Sequence, residues 1–198
     1  MNLDSSIDQI LQMPISNERI KVLQVLIDYI QRKKVADQPI VLNFICTHNS
    51  RRSQFAQIWA SVASHAFSIK AICLSGGVEV TEFNPRAIDS LKRFGFGLSS
   101  EGSENPKYAL EYALKTNKLI LFSKLFDDEV NQFENFAAVM TCDHADENCP
   151  FIPGTEQRIS VQYQDPKQFD NTPEEADKYD ERSRQIASEM FYVFSKIK

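Results

Sequence analysis

Ile40-Val41-Leu42-Asn43-Phe44-Ile45, running straight into Cys46-Thr47-His48-Asn49-Ser50-Arg51-Arg52-Ser53, decides the fold of this chain. The first six residues form a short apolar run rich in branched side chains, the pattern of a buried strand. Beyond Ser53, Phe55, Ile58, Trp59, Val62 and Ala63 recur at helical spacing. A strand therefore runs through a loop into a helix, with a cysteine and an arginine six positions apart at the two ends of the loop. Such a loop can wrap so that successive backbone N–H groups converge, and the helix N-terminus adds positive potential at the same point. The expectation is an oxyanion cradle made of Thr47, His48, Asn49, Ser50, Arg51 and Arg52. A thiol at its base loses its proton more easily, because the helix N-terminus, the guanidinium and the Ser53 hydroxyl favour the thiolate. Arg52 would hold a tetrahedral oxyanion in bidentate fashion while Cys46 attacks its central atom. The spacing alone also describes an inert strand-end cysteine before a solvated helix start. The strand before, the helix after and Ser53 favour the cradle.

Outward from this stretch, Ile69–Leu74 reads as a second strand, and Asn84-Pro85 opens a helix carrying Ile88, Leu91 and Phe94. Ala137–Thr141 is a further strand, a short one lies near Ile159–Val161, and a long closing helix runs from about Pro173 to Lys196. This alternation predicts an α/β fold, a three-layer sandwich around a central parallel sheet. One stretch interrupts it. Tyr108, Leu110, Tyr112 and Leu114 lie at period two, Thr116-Asn117 is a turn signal, and Leu119–Phe122 follows, which predicts a hairpin inserted at about 105–125. Its apolar side is expected on the core rather than on a partner chain. At the other end, Ile20, Leu23, Leu26, Ile27 and Ile30 recur at helical spacing behind Ser16, and Asp37-Gln38-Pro39 breaks the pattern. Residues 1–37 are read as a helical extension ahead of a domain at 38–198.

A chain of 198 residues with 42% hydrophobic and 25% charged residues suits one domain with an added piece, and excludes disorder and low-complexity repeats. Its 27 acidic against 22 basic residues, a net charge of -5, have the wrong sign for coating nucleic acid or anionic lipid. No stretch reads as a membrane span, and the start MNLDSSIDQILQM has no basic n-region, so a cytoplasmic protein is expected. Four cysteines in a reducing compartment are more often catalytic, metal-binding or buried than permanently paired.

The second signal is Val139-Met140-Thr141-Cys142-Asp143-His144-Ala145-Asp146-Glu147-Asn148-Cys149-Pro150. Cys142, at the carboxyl end of a strand, is expected on the same sheet edge as Cys46, where open parallel sheets bind ligands. Cys149 follows on a polar segment able to swing. Two such thiols beside a nucleophilic cysteine support serial thiol–disulfide exchange. Two other readings stand beside this one: Cys142, His144 and Cys149 could hold zinc, although no fourth ligand is in evidence, or Cys142 could be a buried strand-end thiol. Cys73, inside an apolar strand, reads as a core residue. A third element, Tyr163-Gln164-Asp165-Pro166, is by itself only a turn signal.

On these residues the chain resembles the low-molecular-weight protein tyrosine phosphatase fold, whose signature is the CX5RS loop in this setting. The 139–150 segment closely resembles the redox segment of the thioredoxin-coupled arsenate reductases built on that fold. The resemblance runs from about Val41 to the end of the closing helix, includes Ser75-Gly76-Gly77 and Asn84-Pro85, and leaves residues 1–37 and 108–122 as additions. It implies a small oxyanion substrate, Cys46 as nucleophile, Asp165 as the acid that protonates the departing oxygen, and Cys142 and Cys149 as resolving thiols reduced by thioredoxin. It requires no bound redox cofactor and no metal, and leaves open a monovalent cation near Asn49 and Ser75. His48 stands where glycine is usual, and Arg51 where a second loop cysteine is common. One rival is a phosphatase that works through a phosphocysteine. Against it, Lys167 and Gln168 follow the Asp-Pro pair where phosphotyrosine enzymes of this fold place aromatics, although Phe169 is close. The other rival is a non-catalytic oxyanion-binding or thiol-sensing module, its turnover spoiled by His48 and Arg51.

Overall fold

The structure, a computed structural model, describes residues 2–112, 117–148 and 151–198. Cys149 and the predicted turn residue Thr116 lie outside them. In chain order the elements are α1 (Leu3–Leu11), α2 (Asn17–Val35), β1 (Ile40–Cys46), α3 (Arg52–Ala66), β2 (Ala71–Gly77), α4 (Pro85–Arg93) and β3 (Gly97–Glu101). They continue with β4 (Lys107–Tyr112), β5 (Asn117–Leu121), β6 (Phe136–Met140), α5 (Asp143–Asn148), β7 (Thr155–Ser160) and α6 (Glu175–Ser195).

The central sheet has the order β2-β1-β6-β7, and every neighbouring pair is parallel. Its alternating side chains divide between two apolar clusters, as period-two geometry requires. Ile40, Leu42 and Phe44, with Ala137 and Val139 paired beside them, face the larger cluster under α2, α3 and α6. Val41, Ile45, Ala138 and Met140 face the smaller one, which Ala145 of α5, Ile152 and Phe126 close. The fold is thus an α/β sandwich around a parallel sheet, as the alternation predicted. Helix α3 is buried almost all round, with Trp59 fully enclosed between Phe94 and Phe96 at ring distances of 5.7 and 5.1 Å.

The structure extends three local expectations. The inserted hairpin of β4 and β5 is joined by β3, giving a three-stranded antiparallel sheet. Gly97-Leu98-Ser99-Ser100-Glu101 has little strand propensity of its own and is extended by its pairing with β4. The polar run after Cys142, read as a segment able to swing, forms a short helix at Asp143–Asn148. The second strand extends to Gly77, so Ser75-Gly76-Gly77 belongs to the sheet.

At the N-terminus, Ser16 caps α2 by accepting from the Arg19 N–H. Ile10 of α1 and Leu23, Leu26, Ile27, Tyr29 and Ile30 of α2 belong to the same cluster as α3 and α6. No helix among the described residues is long and apolar enough to cross a membrane.

Candidate active site

Cys46 ends β1, Cys142 lies just past β6 and Asp165 follows β7, so three parallel strands deliver their polar residues to one carboxyl edge. The loop from Cys46 to Arg52 is held by its carbonyls. Thr47 O accepts from Val78 N and Glu79 N, each at 2.8 Å, and His48 O accepts from Ser123 Oγ at 2.8 Å. Asn49 O accepts from Gln54 Nε2 at 3.0 Å, and Ser50 O from Asn84 N at 3.0 Å. No peptide bond among the described residues is cis, so each outward carbonyl turns the next residue's N–H to the opposite, concave side. The N–H groups of His48, Asn49, Ser50 and Arg51 therefore line one concavity, a nest of the geometry that can hold an anion. Asn49 makes the reversal in the left-handed region, at φ 47°. Its carboxamide fixes that conformation by donating to Ser53 Oγ at 2.8 Å and accepting from Lys124 N at 3.1 Å. No side chain caps α3 among the described residues, which leaves its N-terminus open to a ligand.

Cys46 Sγ lies 3.1 Å from Ser53 Oγ, and both residues are buried. Arg52 points back over the loop. Its Nη1 donates to Tyr163 O at 3.1 Å and its Nη2 to Asp165 Oδ2 at 2.8 Å. Its buried Nε has no partner among the described residues, so the guanidinium retains a donor for an oxyanion. Asp165 also accepts from Lys167 N at 3.0 Å, which seats it at the start of a single 3-10 turn, Pro166–Phe169. Beside it opens a cleft of about 750 Å³ lined by Arg52, Asp143, Gln164, Asp165, Lys167 and Gln168, among others.

Cys142 is fully buried behind the loop, where the Thr47 hydroxyl reaches its Sγ at 3.5 Å and the Ala145 N–H reaches it at 3.4 Å. The same hydroxyl lies 3.4 Å from His144 Nδ1. The structure thus brings Cys46, Cys142, Arg52, Ser53 and Asp165 to one edge. Of the two departures in the loop, His48 turns toward the surface and Arg51 stays largely buried beside Asp165. His48 Nε2 meets Glu79 Oε2 at 3.2 Å near the surface, so the imidazole does not crowd the nest. Arg51 Nε donates to Tyr179 OH at 3.0 Å, with its Nη1 3.8 Å from Asp165. Cys73 lies in the core, where burial pushes its thiol up to about 12, away from any role as a nucleophile.

Near Asn49 and Ser75, Gln54 Oε1 and Asn131 Oδ1 are buried without partners among the described residues. Asn131 Nδ2 donates to Ser75 O at 2.9 Å and Gln54 Nε2 to Asn49 O, which anchors both carboxamides on the two residues named for a monovalent cation. Among the described residues, no three His, Cys, Asp or Glu side chains gather as a metal site. Sequence reasoning missed Gln54, Ser123, Lys124 and Tyr179. Gln54 sits next to Ser53 in the first turn of α3, whereas the others come from distant segments that carry no local signal.

Over 124 residues the chain is 31% identical to Arsenate reductase 2 of Staphylococcus saprophyticus, covering 62% of this chain and 76% of that protein. It is 27% identical over 135 residues to an arsenate reductase of Halalkalibacterium halodurans, covering 68% and 80%. A low-molecular-weight phosphotyrosine phosphatase from Vibrio cholerae shares the fold, with a TM-score of 0.50 at 12% identity over 79% of this chain and 94% of that one. No family model matches the chain. The fold is that of the low-molecular-weight tyrosine phosphatases. Within that fold, the chain belongs to the arsenate reductase family.

Proposed function

We propose that the protein reduces arsenate to arsenite through a relay of Cys46, Cys142 and Cys149, with thioredoxin as the reductant. The observation that carries this reading is the position of Cys142, whose Sγ meets the hydroxyl of Thr47, the residue next to Cys46. In the first step the Cys46 thiolate attacks arsenic, an As–O bond breaks, and Asp165 protonates the departing oxygen, which leaves as water. The nest and Arg52 stabilise the charge that develops on the remaining oxygens. Cys142 then attacks Cys46 Sγ. The S–As bond breaks with its electron pair on arsenic, so As(V) becomes As(III) while the two sulfurs are oxidised to a disulfide. Cys149 attacks Cys142, freeing the Cys46 thiolate, and the dithiol of thioredoxin reduces the 142–149 disulfide. A monovalent cation held by Asn49, Ser75, Gln54 and Asn131 would brace the back of the loop electrostatically.

A phosphatase would share the first step and then hydrolyse a phosphocysteine. The cleft beside Asp165 favours a small oxyanion over a phosphotyrosine ring, because Gln164, Lys167 and Gln168 line it and Tyr163, which also lines it, is only 4% exposed. Phe169 is instead covered by Lys178, whose Nζ lies 5.3 Å from its ring centroid. The test couples the purified protein to thioredoxin, its reductase and NADPH, and compares arsenate consumption with hydrolysis of an aryl phosphate. Cys142→Ser is expected to abolish arsenate turnover and leave any phosphatase activity nearly intact. Aryl phosphate turnover with no arsenate turnover by the parent protein would refute the relay.

A further inference from the structure

We propose that Arg19, in the N-terminal helical segment outside the phosphatase-like resemblance, is a positioning residue for the Asp165 loop. Arg19 is half-buried and grips Glu189 of α6 with two hydrogen bonds, Nε to Oε1 at 2.8 Å and Nη2 to Oε2 at 2.7 Å. Glu189 has only 2% of its side chain exposed, so the pair is a fixed anchor rather than a mobile surface contact. From that anchor, Arg19 Nη1 donates to Gln162 O at 3.2 Å, and the guanidinium lies over the Tyr163 ring, 5.0 Å from its centroid. The carbonyl of the same Tyr163 accepts from Arg52 Nη1, and Arg52 Nη2 holds Asp165. A chain of short contacts thus runs from α2 through residues 162–163 to the two groups that meet over the oxyanion loop. Gln162 and Tyr163 lead from β7 to Asp165, and Arg19 fixes both the backbone and the ring of that lead-in. The helical extension therefore does more than cover apolar surface: it braces the strand end from which the acid is presented.

The inference rests on the reading of Asp165 as the acid, and the test separates the two. Arg19→Met alone would strand a buried carboxylate, so it is combined with Glu189→Met, which removes both charges together. Arsenate turnover in the thioredoxin-coupled assay is compared among the parent, the double Met variant, Asp165→Asn, and all three changes combined. The double Met variant is expected to lose about tenfold in kcat, with KM little changed, the scale of a small misplacement of a reacting group. On the Asp165→Asn background the same pair is expected to cost almost nothing further, because there is no acid left to position. Arg19→Lys, which keeps the charge but not the fork, is expected to fall between the parent and the double variant. Losses that multiply on the Asp165→Asn background, or parent-like kcat in both Arg19 variants, would overturn the positioning role. Full activity of Asp165→Asn itself would instead remove the acid reading, and the proposal with it.

Discussion

The Thr47 hydroxyl lies 3.5 Å from Cys142 Sγ and 3.4 Å from His144 Nδ1, two groups on the segment that runs from the end of β6 into α5. Thr47 follows Cys46, so the residue that starts the nest also touches the second thiol, which itself receives the Ala145 N–H at the start of α5. A thiolate at Cys142 would find two donors in place without any movement of the sheet edge.

Thr47→Val keeps the shape and removes the donor. In a single turnover with arsenate, formation of the Cys46 adduct is expected to be unchanged while the 46–142 disulfide forms roughly tenfold more slowly, as for loss of one charge-assisted hydrogen bond of about 1.5 kcal/mol. Acid quenching, thiol trapping and mass spectrometry follow both species. An unchanged rate of disulfide formation would show that the hydroxyl does not activate Cys142.

Gly77→Ala tests how tightly the nest is seated on the end of β2. A Cβ at Gly77 would stand 2.7 Å from Asn49 N, 2.7 Å from Glu79 O and 2.8 Å from Thr47 O, all backbone atoms of the loop and its anchor. None can rotate away, so the loop itself must move. Destabilisation of about 1–3 kcal/mol is expected, and added phosphate is expected to slow alkylation of Cys46 in the parent but not in this variant. Gly97→Ala, with nothing within 4 Å of the new methyl, is the matched control and is expected to behave like the parent. Urea unfolding and alkylation rates measure both effects, and a parent-like Gly77→Ala would mean that the nest tolerates displacement.

The core of the architecture was legible because it is local. The run Ile40–Ile45 is short and rich in branched apolar side chains, which favours a buried strand, and the residues after it carry their own helical spacing. The nest was legible as a residue pattern, but the bonds that shape it were not. Its carbonyls are held by Val78, Ser123 and Asn84, its reversal is locked through the Lys124 N–H, and no periodicity announces such partners. The strand Gly97–Glu101 was invisible for a related reason, since its conformation comes from the neighbour that pairs with it. Arg19 and Glu189 stand 170 positions apart, and only the packing of α2 on α6 makes them one unit.

Lys124 provides a prediction in pH. It is 3% exposed, its own carbonyl accepts the Gly77 N–H, and among the described residues its ammonium reaches the Phe122 carbonyl at 3.5 Å and the Phe122 ring. Burial lowers its pKa from 10.5 to about 8, although Asp128 opposes the shift. In the unfolded chain the amine keeps its proton up to the ordinary lysine range. Between about pH 8 and 10.5 the unfolded state therefore binds more protons than the folded one, and the contribution of Lys124 to stability rises with pH across that window. Below about pH 8 both states are protonated, and the cost of burying the charge is present in full. Lys124→Met removes the cost, so the variant is expected to be more stable than the parent at pH 7. Its advantage is expected to shrink by about 1.4 kcal/mol per pH unit above pH 8. Urea unfolding of both proteins at pH 7, 9 and 10 reads the difference directly, because the other titrating groups cancel between them. A constant difference across that range would mean that the Lys124 ammonium is not desolvated in the folded protein.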